Sequence, residues 1–233
     1  MREEYYSILY YALPILGLAI TSIAQILIKA RYSKYKKEPI SKHVSGYEVA
    51  RKILDTNDLK HIKINEVSGE LSDHYDPTKK VVNLSTDIYQ GRTIAAASVA
   101  AHECGHAIQD KVGYVPMRIR SSLVPIVNFA TKIGYLVVVI GLTAGILKIA
   151  TIGIVLLLSM LLFQLVTLPV EFNASFRAEK QLKELNLLES SEQRGSKKML
   201  FAAALTYVAG MLSTLFQILR LVLMILSRRS NRK

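Results

Sequence analysis

The chain has 233 residues, of which 51% are hydrophobic, carries a net charge of +12 and contains no tryptophan. Its apolar residues are concentrated in long runs between basic segments, which is typical of a chain that enters a bilayer. Because the lysines and arginines lie beside these runs, they indicate contact with anionic lipid headgroups and argue against nucleic-acid binding. The single cysteine, Cys104, excludes an internal disulfide and a cysteine-rich metal cluster.

The first apolar run covers residues 7–28. As a helix it would span roughly 33 Å, which is enough to cross a bilayer. No clear positive segment precedes it and no convincing cleavage site follows, so we expect an uncleaved transmembrane anchor. Five basic residues come directly after it: Lys29, Arg31, Lys34, Lys36 and Lys37. The positive-inside rule therefore predicts an external N-terminus and a cytoplasmic location for the residues after Ile28.

Residues 38–120 are polar enough to form a small α+β part of the chain. We expect these elements in chain order: a helix from a Ser45–Glu48 capping box to about Asn57, strands at 62–67 and 79–84, a turn at 76–78 before the second strand, and an alanine-rich helix at 93–110.

A second apolar run extends over residues 123–168. One helix of that length would be roughly 69 Å long, about twice what a bilayer needs. We therefore expect a transmembrane helical hairpin that turns near 145–153, with Lys148 at the far surface. Polar sequence returns at 169–198, where Pro169 suits the start of a new helix.

The last apolar run, residues 199–226, is rich in small residues that suit close helix packing. A single crossing would place the basic C-terminus outside, against the positive-inside rule. The sequence leaves open whether this segment crosses the membrane or packs on the α+β part.

His102, Glu103 and His106 form an H-E-x-x-H motif within the alanine-rich helix. Residues i and i+4 share a helix face, so both imidazoles can bind one metal ion. A catalytic zinc ion takes three protein ligands and a water, whose pKa it lowers to about 7. Glu103 is then the candidate general base, and it later returns a proton to the leaving amine. Two surface histidines around a glutamate are the competing interpretation.

Glu171 is the best candidate for the third zinc ligand. It lies 65 residues beyond His106, and the intervening sequence contains the predicted hairpin. Two membrane crossings return the chain to the side that it left, so Glu171 can rejoin the histidines. An ordinary charged residue at a helix start is the alternative.

Three segments, residues 100–109, 72–77 and 168–175, together resemble the YugP-type bacterial membrane zinc metallopeptidases. The resemblance implies a zincin fold, a zinc ion bound with a glutamate as third ligand, and an active site at the cytoplasmic face or membrane interface. The chain is more distantly similar to the HtpX and CAAX-prenyl protease group, in which H-E-x-x-H is followed by E-x-x-A-D. Ser175 stands at the place of that aspartate.

An orienting carboxylate for a ligand histidine is therefore missing at that position. Ser175, Asn173 and Asp73 are the candidates to replace it. His74 lies in a polar segment and is the least ordinary of the remaining histidines. Residues 80–84 are predicted to be an edge strand that binds the substrate backbone. Two further residues are candidate oxyanion stabilisers: Arg177 and Tyr207.

These observations predict a mainly α-helical, multi-pass protein of the bacterial cell membrane with a small α+β zincin-like part. The predicted function is that of an endopeptidase with one zinc ion, acting on protein or peptide substrates associated with the membrane. The alternative is a catalytically idle metal-binding scaffold or adaptor, although structural zinc sites normally have four protein ligands and only three are evident. A site-2-type protease would need an aspartate ligand, and none follows Asp110. The sequence leaves an oligomer or accessory partner open.

Overall fold

The computed structural model describes the backbone of residues 2–230 and the side chains of residues 8–227. The elements follow in chain order: α1 (Arg2–Tyr35), α2 (Gly46–Thr56), β1 (Lys63–Val67), β2 (His74–Asp76), β3 (Val81–Ser85), α3 (Thr86–Gln90), α4 (Ile94–Lys111), α5 (Val115–Thr143), α6 (Leu147–Glu184) and α7 (Ser190–Ser230). The described residues form two compact units. We call residues 2–25, 119–168 and 206–230 the helical unit, and residues 26–118 and 169–205 the α+β unit.

Four of the described helices are long and apolar enough to cross a membrane, namely α1, α5, α6 and α7. Their surfaces expose large apolar side chains such as Ile15, Phe129 and Val155. Water would disfavour such a surface, whereas lipid tails accept it. The protein is thus a helical membrane protein with a small α+β unit, as the sequence predicts.

Within the helical unit, α5 and α6 form a hairpin joined by residues 144–146. Gly145 adopts a left-handed conformation with φ of 70°, which a glycine accepts without strain. A Cβ atom on Gly141 would lie 2.2 Å from the backbone nitrogen of Ala150. Glycine at 141 therefore allows the two helices to approach each other near the turn.

The α+β unit contains a three-stranded sheet in the order β1-β3-β2, with β1 parallel and β2 antiparallel to β3. Helix α2 begins with the predicted capping box, because the Ser45 hydroxyl accepts from Glu48 N–H and the Glu48 carboxylate accepts from Ser45 N–H. Helix α4 is buried along most of its length. Its small residues admit close packing, and Cys104 Sγ lies 3.6 Å from the carbonyl oxygen of Ala50 on α2.

Two expectations from the sequence are wrong. Residues 81–85 form the central strand β3 and not an edge, because the short strand β2 pairs with its other side. Pro169 does not begin a new helix, since α6 continues through it from Leu147 to Glu184. A proline inside a helix removes one N–H donor, yet apolar membrane helices tolerate it.

Candidate metal centre and active site

Helix α4 holds both motif histidines on one face. The helix begins after Thr93, whose hydroxyl accepts a hydrogen bond from Ala96 N–H at 3.2 Å. The rings of His102 and His106 stand one turn apart, with centroids separated by 4.8 Å and planes nearly perpendicular. Their Nε2 atoms are both directed at the same carboxylate, which belongs to α6.

That carboxylate is Glu171, whose side chain is buried. Its Oε2 atom lies 3.3 Å from His102 Nε2 and 3.6 Å from His106 Nε2. The three candidate ligand atoms lie within 4.8 Å of one another. Helices α4 and α6 approach this closely because residue 105 is glycine, since a Cβ atom there would be 2.5 Å from the carbonyl oxygen of Ala174.

Gln109, which sequence reasoning missed, fixes the orientation of His106. Its amide nitrogen donates to the Val170 carbonyl at 2.8 Å and to Asn173 Oδ1 at 3.0 Å. Both partners are acceptors, so the amide oxygen of Gln109 faces His106 Nδ1, 3.0 Å away. His106 therefore carries its proton on Nδ1 and leaves Nε2 free as a ligand. The i, i+3 spacing on one helix is the only signal that the sequence offered.

Ser175 lies beside the other histidine of the motif, His102. Its hydroxyl is 3.3 Å from His102 Nδ1, on the side of the ring opposite the carboxylate of Glu171. Asn173 does not contact a histidine directly, because its Oδ1 atom accepts from Gln109 and from Arg177 Nε. Of the three candidates for an orienting residue, the structure thus brings Ser175 to a histidine.

Glu103 is held by β2, an edge strand of the sheet. Its Oε2 atom accepts a hydrogen bond from Tyr75 N–H at 2.9 Å. The hydroxyl of Tyr75 donates in turn to Asp110 Oδ2 at 2.7 Å, and Lys80 forms an ion pair with the same oxygen. Strand β2 is therefore attached to α4 at two positions, Glu103 and Asp110.

Asp73 lies at the start of this edge strand and not at the histidines. Its carboxylate accepts from Ser85 N–H at 2.7 Å and from the Ser85 hydroxyl at 3.2 Å. Burial raises the pKa of Asp73 above its ordinary value, against the lowering effect of the Ser85 hydrogen bonds, and the charge of Glu103 adds to the increase. Asp73 thus shapes the loop before β2.

The other candidates lie outside the cluster. His74 is exposed, with Nδ1 near the Ser72 carbonyl and Nε2 3.0 Å from the amide of Asn83. Arg177 donates to Asn173. Tyr207 belongs to the helical unit, and its role as an oxyanion stabiliser stays a prediction.

The donor set suits zinc. Burial acts to lower the pKa of His106, but the hydrogen bond and charge of Glu171, together with Glu103, raise it above its ordinary value. The carboxylates of Glu171 and Glu103 therefore stabilise a positive charge at this site. Two imidazole nitrogens and one carboxylate oxygen, both histidines being oriented through Nδ1, form the ligand set of catalytic zinc sites.

A helical membrane protein that brings an H-E-x-x-H helix against a glutamate has the features of a membrane zinc metallopeptidase. Residues 10–226 match the family described as "Putative neutral zinc metallopeptidase", and the chain belongs to that family. It is similar to the "Putative membrane protease YugP" of Bacillus subtilis (strain 168), with 43% identity over 221 residues that cover 95% of this chain and 98% of the relative. The resemblance seen in the sequence is thereby confirmed. No solved structure matches the chain.

Proposed function

We propose that this chain is a zinc-dependent endopeptidase of the bacterial cell membrane. In this proposal His102, His106 and Glu171 bind one zinc ion, and Glu103 is the general base. The observation that supports it best is the convergence of the three ligand atoms within 4.8 Å where α4 packs against α6, with His106 and Glu171 buried. Three protein ligands leave a coordination position open, which favours catalysis over a purely structural metal.

The zinc ion would act as a Lewis acid that makes a water molecule acidic near neutral pH and polarises the peptide carbonyl. Glu103 removes the water proton and later delivers a proton to the leaving amine. Because Glu103 Oε2 accepts the Tyr75 N–H, the lone pairs of Oε1 remain available for that proton. The hydrogen bond thus favours Oε1 as the oxygen that accepts the proton.

Glu103→Gln tests this assignment. The variant keeps an acceptor oxygen for Tyr75 N–H but has no base, so it should retain zinc and lose peptide hydrolysis by a factor on the order of 10² or more. Casein or a membrane-protein substrate and metal analysis of the purified protein provide the two readouts. Glu38→Gln, at a partly exposed position where the carboxylate pairs with Lys34, is the control and should keep both. Hydrolysis by Glu103→Gln at the wild-type rate would contradict the mechanism, and an idle scaffold would cleave in neither form.

We further propose that the α+β unit faces the cytoplasm. The support is the charge asymmetry around the first apolar run, whose C-terminal side is strongly basic. On a Cys104→Ala background, a cysteine at residue 4 should react with an impermeant reagent in intact cells. A cysteine at residue 60 should react only after the cells are opened, and its labelling in intact cells would reverse the orientation.

A further inference from the structure

A cavity of about 410 Å³ lies between the C-terminal part of α6 and the N-terminal part of α7, within the α+β unit. None of the candidate zinc ligands lines it. Four basic side chains do so: Lys180, Lys183, Arg194 and Lys197. A concave surface with several cations attracts an anionic group more strongly than the same charges on a convex surface.

These cations are weakly compensated. Glu179 is the only carboxylate among the described residues that line the cavity. Lys180 lies 3.8 Å from Glu184, but both side chains are more than half exposed, so this pair contributes little. Within the described part of the chain, Lys183 and Arg194 have no carboxylate within 4.0 Å.

The carboxylate in the first turn of α7 belongs to Glu192 and is hydrogen-bonded to groups outside the set of basic side chains. Glu192 accepts hydrogen bonds from Ser41 N–H and the Ser41 hydroxyl, both at 2.7 Å, and from Glu189 N–H at 2.8 Å. Its charge is therefore engaged by these three donors and not by the cations of the cavity. The site retains an excess of positive charge.

One wall of the cavity is apolar. Leu182 and Leu188 are buried beneath it, whereas Phe176 is 65% exposed. A free inorganic anion would gain nothing from an exposed phenyl ring. An amphiphile gains from both walls, because its charged group contacts the cations while its apolar part covers Phe176.

The cavity residues also lie between two membrane-type segments of the sequence. The second apolar run ends at Leu168 and the last one begins at Met199, and residues 176–197 fall between them. Basic segments directly beside apolar runs favour the anionic headgroups of the cytoplasmic leaflet. The position of the cavity residues in the sequence therefore favours a ligand from the membrane surface.

We propose that this cavity binds the phosphate group of an anionic phospholipid such as phosphatidylglycerol. The basic side chains contact the phosphate, and Phe176 packs against the glycerol and the first acyl carbons. This site is separate from the zinc cluster, and the proposal does not depend on peptidase activity.

The absence of tryptophan from the chain offers a direct probe, because Phe176→Trp introduces a unique fluorophore beside the cavity. This variant is reconstituted into vesicles of phosphatidylcholine and phosphatidylglycerol at a fixed ratio. In one set of vesicles, the phosphatidylglycerol carries brominated acyl chains. In the other set, an equal mole fraction of the phosphatidylcholine carries them. Stronger quenching by brominated phosphatidylglycerol measures selective binding of the anionic lipid at the cavity.

On the Phe176→Trp background, replacement of Arg194 and Lys197 by glutamine should abolish this selectivity. At about fivefold in affinity per charge, the loss is roughly 25-fold. Lys60→Gln with Lys63→Gln removes two exposed charges outside the cavity and should preserve selectivity. A parallel titration with inorganic phosphate, in lipid-free detergent micelles, tests whether the cavity binds free phosphate instead of the phosphate of a lipid.

Selective quenching that disappears only in the cavity variant supports the lipid site. A fluorescence response to inorganic phosphate that disappears in the same variant supports a phosphate site with a soluble ligand. Equal quenching by both brominated lipids without a phosphate response overturns the proposal, as does selectivity that survives in the Arg194 and Lys197 variant.

Discussion

Substitution of Gln109 by leucine removes three hydrogen bonds, two between α4 and α6 and one to His106 within α4, while keeping a side chain of similar volume. Asn173 Oδ1 keeps its bond from Arg177, so the group left most clearly without a partner is the Nδ1–H of buried His106. An unsatisfied buried donor costs about 1–3 kcal/mol. The free energy of unfolding should decrease by about that amount.

The more specific effect of Gln109→Leu concerns zinc. His106 loses the acceptor that fixes its tautomer and ring orientation, so zinc affinity should fall by about 10–100-fold. The measurement is a zinc titration in a series of chelators of graded affinity, with bound metal determined after gel filtration. Gln181→Leu is the matched control, because Gln181 bonds Asn57 at 2.8 Å and does not contact a histidine.

Wild-type zinc affinity in Gln109→Leu, together with reduced stability, would refute the orienting role and leave Gln109 as a packing residue. Gln109→Glu sharpens the comparison. Its carboxylate can still accept from His106 Nδ1–H but cannot donate to the Val170 carbonyl. It should keep more zinc than the leucine variant although the contact between the helices is weakened.

Two further variants test the other contacts of the site. Glu171→Ala should reduce zinc affinity by a factor on the order of 10² and abolish hydrolysis. Glu179→Ala, two helical turns further on, is the control and should keep bound zinc. Full zinc retention by Glu171→Ala after dialysis against a weak chelator would remove Glu171 from the ligand set. Tyr75→Phe breaks the 2.7 Å hydrogen bond to Asp110 and weakens the attachment to α4 of the strand that positions Glu103, so turnover should fall about tenfold. Bound zinc should be unchanged, and an unaltered turnover rate would show that the bond to Asp110 does not position Glu103.

Local sequence signals predicted the elements that depend on neighbouring residues. The capping box of Ser45 and Glu48 marks the start of α2, and its hydrogen bonds join residues three positions apart. The i, i+4 spacing of His102 and His106 places two rings on one face of α4. Long apolar runs predicted the helices suited to cross a membrane, because length and composition alone decide that property.

Two other features, strand β2 and the continuation of α6 through Pro169, could not be predicted from the local sequence. Strand β2 has three residues, too few for a visible alternation, so the sequence assigned the edge position to residues 80–84. Pro169 read as a helix start because proline fits the first turn, but a proline inside a long helix removes only one N–H donor, and α6 continues through it.

By itself, the sequence determined the H-E-x-x-H motif, its helix and the apolar segments, because each arises from residues close together in the chain. The tertiary structure alone decided that β3 is central, that Tyr75 N–H binds Glu103, and that Gln109 orients His106. Glu171 contacts the histidines although it lies 65 residues after His106 in the chain. This contact depends on the close approach of α4 and α6 that Gly105 allows. Such contacts depend on how distant segments pack, and short-range propensities contain no information about that.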